Sequence, residues 1–276
     1  MNDYQIAIGV TFYQPQKEEI EYINCLYYHF SNVYIYDNSD VPIEKEIQNK
    51  NVTYFFNGKN DGLSIAFNCF LQQSYKDHMD YLLLLDQDSL FDINQILGLK
   101  NELQRKPYDE SVGIYACKAY PSNVKMEDLN YSNEDTVEEK MVISSGSFIN
   151  LKSIFKKVKY DENLFVDYVD ADFCRQLHEK KLKIMCYNKY PMEQSLGYLY
   201  HGYICHSAIR HYYMVRDLGY MNQKYYTKSV TVLKTLKFYF LNLLVIGRED
   251  KKMKKIIYSS KGLVHYFRNI KGECTL

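Results

Sequence analysis

Short apolar runs alternate with helical patterns over the first 86 residues, and this alternation restricts the fold more than any other feature of the chain. The runs IAIGVTF (6–12), NVYIYD (32–37), VTYFF (52–56) and YLLLLD (81–86) are rich in β-branched, aromatic or leucine side chains with little polar alternation. Strands covered on both faces read this way. Between them, Ile20, Ile23, Leu26, Tyr27 and Phe30 recur at spacings of three and four, as do Leu63, Ala66, Phe67, Phe70 and Leu71. Strand and helix in alternation imply right-handed βαβ crossovers and an α/β fold with a mostly parallel central sheet flanked by helices. Two of the strands run into acids. Asp37 closes the second, and Asp86 and Asp88 close the fourth, separated only by Gln87. Such tips share one edge in a parallel sheet, the edge at which open α/β sheets bind ligands. A solvated turn is the alternative origin of a single Asp-x-Asp.

Composition narrows the class. A chain of 276 residues with 46% hydrophobic and 25% charged residues buries a sizeable core as one or two domains. Seven scattered cysteines, odd in number and without a Cys-x-x-Cys pair, argue against a zinc site or a disulfide framework and for a reducing compartment. The opening MNDYQIAIGVTF has an acid where a signal peptide carries basic residues, so a cytoplasmic location is expected. Net charge is zero, yet fourteen Lys and Arg face only four acids from Arg210 onward, which leaves the first 209 residues acidic. That asymmetry points to an anionic partner for the C-terminal part, a membrane surface rather than nucleic acid, because no nucleic-acid-binding module accompanies it.

Two further stretches carry polar chemistry: MVISSGSFINL (141–151), with Ser144, Ser145 and Gly146, and LFVDYVDADFC (164–174), with Asp167, Asp170 and Asp172. Asp170 and Asp172 fall in the first turn of an expected helix, where a carboxylate also serves the helix dipole. His201, His206 and His211 are spaced by five, too far round a helix to share a metal. The segment 228–247 puts Lys228, Thr231, Lys234, Thr235 and Asn242 on one helical face and Val232, Leu233, Leu236, Phe240, Leu243 and Leu244 around the other. With lysines inside it, the segment reads as too short to span a bilayer, which takes ~20 apolar residues. Its readings are docking on the rest of the chain, a homodimer contact, or, together with the basic stretch that follows, an interfacial anchor on an anionic membrane.

Together VTFYQP, YDNSD, DGLSIAFN, LLLLDQDS, SSGSF, FVDYVDADFC and HSAIRHYYMVRD resemble, in order and spacing over roughly residues 6–217, the family 2 glycosyltransferases of the GT-A fold, and among them the rhamnosyltransferase-like branch. The resemblance implies a catalytic domain over 1–217, with nucleotide-sugar binding in 1–90 and acceptor binding and catalysis in 91–217, followed by a basic amphipathic helical extension over 218–276. It implies that Thr11, Tyr13, Asp37, Asn38, Asp86, Gln87 and His206 meet the nucleotide-sugar, that Asp88 holds Mn²⁺ or Mg²⁺ against its diphosphate, and that Asp170 is the general base of an inverting transfer. Ser145, Gly146, Asp167 and Asp172 are implied near the acceptor, which would be a saccharide or a lipid-linked sugar of a bacterial cell-surface polysaccharide, with rhamnose from dTDP-rhamnose as a candidate donor. Four positions depart from the family pattern: Gln14 where Asn is commoner, Val169 where Glu often precedes the base, Lys181 where a turn glycine is common, and Asp217 where Asn is usual. A strand followed by Asp-x-Asp-Ser also resembles the haloacid-dehalogenase-like phosphatases, in which Asp86 would be a nucleophile, but two βα units and Asp37 precede it here. A non-catalytic nucleotide-sugar-binding protein on the same fold is the third reading.

Overall fold

The computed structural model describes residues 3–47, 52–87, 93–121, 134–194 and 197–275. The chain forms two compact units: Met1–Asn60, Ile65–Tyr160 and Phe173–Ser195 make the first, and Asp61–Ser64, Asp161–Asp172 and Leu196–Leu276 make the second. The second unit therefore takes in the Asp167–Asp172 acids as well as the basic C-terminal segment.

In the first unit the apolar runs are strands β1 (Ile6–Phe12), β2 (Asn32–Asp37), β3 (Val52–Phe56) and β4 (Tyr81–Asp86), with helix α1 (Lys17–Leu26) after β1 and α2 (Leu63–Lys76) before β4. Their bounds coincide with those read from the sequence because each run is bracketed by turn-forming or helix-opening residues. They pair in parallel in the order β3-β2-β1-β4. Leu82, Leu83, Leu84 and Leu85 of β4 are all buried, each contributing about 1.5–3 kcal/mol by leaving water. The chain continues through α3 (Ile93–Arg105), β5 (Val112–Pro121), β6 (Thr136–Glu138), β7 (Ser147–Asn150), the single turn α4 (Leu151–Ile154), α5 (Val169–Glu179) and β8 (Lys183–Gln194). These strands complete an eight-stranded sheet, β3-β2-β1-β4-β7-β5-β8-β6. Strand β7 runs antiparallel to both neighbours and β6 antiparallel to β8, whereas β5 and β8 are parallel.

Two departures from the family pattern have a visible cost here. Gln14 and Lys181 both adopt the left-handed backbone, at φ of 47° and 58°, a region that glycine enters freely and asparagine more readily than most other residues. The turns keep their shape with the less suitable residue.

The second unit contains the hairpin β9 (Tyr198–Tyr200) and β10 (Tyr203–Cys205) and the helices α6 (Ala208–Tyr225), α7 (Lys228–Ile246) and α8 (Lys252–Phe267). Helix α6 opens on Ser207, whose hydroxyl accepts the Arg210 N–H at 3.3 Å, an N-cap. At its centre the fully buried Arg216 lies over the rings of Tyr212 and Tyr213, and its Nη1 donates to the Gly272 carbonyl, tying the C-terminal tail to the helix. Thr231, Thr235, Asn242 and Ile246 are the buried residues of helix α7, while Leu233, Phe240 and Leu244 face outward; its polar face is the one that docks. With nineteen residues it is also long and apolar enough to cross a membrane by length and composition, which the sequence reading did not allow.

All seven cysteines are free thiols. His211, which the sequence left without a role, is a buried bridge: Nδ1 lies 2.9 Å from Asn242 Oδ1 and Nε2 3.0 Å from Glu249 Oε2.

Candidate active site: the strand edge and the acid loop

The parallel register sets the first unit's site. Phe12 of β1 lies beside Asp37 of β2, and Thr11 beside Asp86 of β4, so the two acids flank β1 at the carboxyl edge of the sheet. Asp88 lies outside the described residues.

The two described acids are held differently. Asp37 is fully buried; Oδ1 accepts the Ser39 N–H at 2.9 Å, and Oδ2 accepts the Ile43 N–H at 3.1 Å and the Tyr54 hydroxyl. A carboxylate offers about four acceptor positions, and the chain itself takes three of them, shaping the turn that begins at Asn38. Tyr54 carried no signal in the sequence; it reaches Asp37 because β3 lies beside β2. Asp86 is half-buried, and its N–H donates to Ser145 Oγ at 3.1 Å. Ser145 and Gly146, expected near the acceptor, are thus set at the tip of β4. Gly146 donates to the Leu84 carbonyl at 2.9 Å with φ of 77°, and a Cβ there would lie 2.5 Å from Met192 Sδ. Only glycine meets both conditions.

Gln87, expected as a donor contact, clamps the β1–α1 turn. Its Oε1 accepts the Tyr13 N–H at 2.6 Å, and its Nε2 donates to the Tyr13 carbonyl at 3.2 Å and to Glu19 Oε2 at 3.3 Å. Asn38 donates its N–H to the Phe12 carbonyl at 2.8 Å, and Ser39 Oγ accepts the Gln14 N–H at 2.8 Å. Thr11 is buried in the strand and Tyr13 is exposed just beyond it. Among the described residues no three His, Cys, Asp or Glu side chains converge on a ready metal cage. Asp86 nevertheless supplies a hard carboxylate at the ligand-binding edge, and Mg²⁺ or Mn²⁺ is typically held by one or two carboxylates together with substrate phosphates.

The second unit holds the other acids on the segment 161–172. Gly62 has φ of 83°, and a Cβ there would sit 2.6 Å from the Phe165 carbonyl. Leu63 N–H donates to that carbonyl at 2.7 Å, and Ser64 Oγ to the Leu164 carbonyl at 2.6 Å. This is the structural content of the DGLS stretch. From the other side Asp217 Oδ2 accepts the N–H groups of Phe165, Val166 and Asp167 at 3.0, 3.2 and 3.4 Å, while Oδ1 takes Arg216 Nε at 2.8 Å. Burial raises the proton affinity of Asp217, against the pull of Arg216. A carboxylate where the family prefers asparagine is thus matched by a buried guanidinium.

Asp167 is buried, with Oδ1 2.8 Å from Arg210 Nε and Oδ2 without a hydrogen-bond partner among the described residues. Burial pushes its pKa up to about 7; Arg210 pulls it down, and Asp217 and Asp170 add to the rise. Asp172 is fully buried and spent: Lys224 Nζ lies 2.8 Å from both of its oxygens, and the Tyr225 hydroxyl donates at 2.6 Å. Asp170 is half-buried in the first turn of α5. His206 is half-buried, its proton affinity lowered by burial and then by Arg210 and His211. Arg210 escaped the sequence reading, although it lies one helical turn beyond His206 and three residues past the N-cap. Lys224 had no local signal, being 52 residues from Asp172.

Known proteins match both the sequence and this architecture. The family model described as Glycosyl transferase family 2 matches residues 23–174, more than half of the chain. The chain is 23% identical over 232 residues to the dTDP-rhamnosyl transferase RfbF of Shigella flexneri, covering 78% of this chain and 77% of that protein. The crystal structure of GalNAc-T7 with UDP, GalNAc and Mn²⁺ superposes with a TM-score of 0.57 at 10% identity, over 97% of this chain and 56% of that one, so this chain spans little more than half the length of that protein. The chain belongs to the family 2 glycosyltransferases and carries their GT-A fold.

Proposed function

We propose that the enzyme transfers a sugar with inversion from a nucleotide-sugar to a saccharide or lipid-linked acceptor in the assembly of a bacterial cell-surface polysaccharide. The observation that carries this reading is the pairing of Asp37 and Asp86 on either side of β1 at the carboxyl edge of the sheet. The turn after Asp37 receives the base. Asp86 lies toward the ribose, and Asp88 holds the divalent cation. When bound, that ion neutralises the charge that develops on the departing diphosphate. His206 and Arg210 stand in the second unit as candidate contacts to a phosphate or a sugar.

Asp170 is the general base, removing the proton from the acceptor hydroxyl as its oxygen bonds to the anomeric carbon and the nucleoside diphosphate leaves. Its neighbours favour it for this role. Asp172 is consumed by Lys224 and Tyr225, and Asp167 is buried against Arg210, whereas Asp170 is partly accessible. The relative from Shigella supports dTDP-rhamnose as donor. A lipid-linked acceptor would be met at the inner face of the cell membrane, with the enzyme a peripheral protein there.

The test is turnover of a panel of nucleotide-sugars, dTDP-rhamnose among them, with Mn²⁺ and saccharide acceptors. Release of nucleoside diphosphate and a product of inverted anomeric configuration are expected. Hydrolysis of phosphate esters through a phosphorylated Asp86 would contradict the assignment.

A further inference from the structure

Helix α7 is built inside out for a helix in water. Its inward face is polar and satisfied. Thr231 Oγ1 donates to the Asn222 carbonyl at 3.2 Å, Thr235 Oγ1 accepts from Asn222 Nδ2 at 3.4 Å, and Asn242 Nδ2 donates to Ser259 Oγ at 2.9 Å. Its outward face carries Leu233 at 68% exposure and Leu244 at 71%, with Phe240, Leu241 and Val245 also exposed. Helix α8 repeats the arrangement, with Met253, Ile257 and Phe267 exposed while Lys255 and Ser259 are buried. An amphipathic helix facing water does the reverse, and an exposed apolar patch of this kind marks an interaction surface.

The chemistry around the apolar stripe selects the occupant. The turn between α7 and α8 presents Arg248, Lys251 and Lys252, exposed and without an ion pair among the described residues, and Lys237 lies within the stripe itself. The turn's two acids are already used: Glu249 and Asp250 both accept from the buried Lys255, at 2.6 and 2.7 Å. The Tyr198 hydroxyl accepts from Lys255 at 2.8 Å and donates to Asp250, fixing the β9–β10 hairpin to this turn. The hairpin shows Leu199, Tyr203 and Ile204 to the outside. Leucine and phenylalanine, tyrosines and unpaired cations are thus gathered in one unit. Acyl chains take the first, the headgroup level takes the second, and lipid phosphates take the third.

We propose that the outward face of α7, the 248–252 turn and the β9–β10 hairpin lie in the interface of an anionic lipid bilayer. A second copy of the chain is a poorer occupant. Neither α7 nor α8 contains an acid, so a copy seated on this face would bring like charge against like. Spanning is disfavoured as well. Nineteen residues reach about 28 Å, but insertion across the bilayer would separate Thr231, Thr235 and Asn242 from their partners. The helix lies in the plane of the membrane. The proposal is independent of the transfer chemistry.

Flotation of the full chain with vesicles tests it. Binding is expected to an equal mixture of phosphatidylcholine and phosphatidylglycerol, about tenfold or more weaker binding to phosphatidylcholine alone, and weakening as salt rises. Leu244→Glu, and separately the double change Lys251→Glu with Lys252→Glu, should each lower binding by about tenfold or more. Both alter exposed side chains, so thermal melts and transfer to a soluble acceptor should stay as in the wild type. Absence of flotation with every composition, or unchanged flotation of Leu244→Glu, overturns the proposal. So does a dimeric mass by light scattering that Leu244→Glu reduces to a monomer without any vesicle binding, which would assign the face to a second copy.

Discussion

The aspartates of the two units are neutralised in different ways. At the sheet edge Asp37 is surrounded by neutral donors: two backbone N–H groups and a tyrosine hydroxyl. In the second unit aspartates answer to cations: Asp167 to Arg210, Asp172 to Lys224, Asp217 to Arg216 and Asp250 to Lys255. Neutral donors orient a carboxylate without cancelling its field, which suits a place that draws in a cation. Paired cations cancel the field and fix the geometry, which suits a scaffold for one acid in a first helical turn. In the function proposed above, binding falls to the first arrangement and proton transfer to the second.

The largest effect expected from breaking this division is at Asp170. Asp170→Asn should lose about 10²–10⁴-fold in transfer rate, the usual contribution of a general base, while donor and metal binding measured by calorimetry remain near wild type. If Asp167→Asn is the inactive variant instead, the base lies three residues earlier.

Next comes the buried pair. Arg216→Ala removes the guanidinium from Asp217, which stays fully buried and required by three backbone N–H groups, so denaturant melts should show about 3–5 kcal/mol of destabilisation. A loss within the range of exposed ion pairs, under about 1 kcal/mol, would mean that Arg216 does not neutralise Asp217.

Asp167 predicts a pH dependence. Its pKa in the folded chain, about 7, lies above the value near 4 of an unfolded aspartate. The folded state then holds a proton that the unfolded state has lost, so the stabilisation is fully present below pH 4 and disappears as pH rises through 7. Relative to Asp167→Asn, which cannot titrate, the wild type should lose stability between about pH 4 and pH 7 and run parallel to the variant above that. A difference that is flat throughout would show that Arg210 holds Asp167 ionised.

The smallest effect concerns a turn. Lys181→Gly should stabilise the first unit by up to about 1 kcal/mol, because the strain of a left-handed lysine is relieved at some cost in unfolded-chain entropy. Transfer activity should not change.

The parallel half of the sheet, β1 to β4, was legible in the sequence because strands covered on both faces leave unbroken apolar runs, and the shared edge of Asp37 and Asp86 follows from parallel pairing; β5 to β8 were not read there. The amphipathicity of α7 was legible too, but not which face is buried. Periodicity separates two faces without saying whether protein, water or lipid covers each, and the partners of Thr231, Thr235 and Asn242 lie on other helices. The partners of the acids were the least legible. Tyr54, Arg210 and Lys224 meet Asp37, Asp167 and Asp172 only through the tertiary fold, at sequence separations of 17, 43 and 52.

In the proposed function the sheet edge binds a nucleotide-sugar through a cation held by Asp88. Thermal unfolding of the wild type and of Asp88→Asn, with dTDP and with or without Mn²⁺, tests it most directly. A ligand at 100 times its dissociation constant stabilises by about 2.7 kcal/mol. The predicted result is stabilisation of the wild type by dTDP that requires Mn²⁺ and is lost in Asp88→Asn, whose melt without ligand is unchanged. Equal stabilisation of both proteins, or stabilisation indifferent to Mn²⁺, would contradict the account.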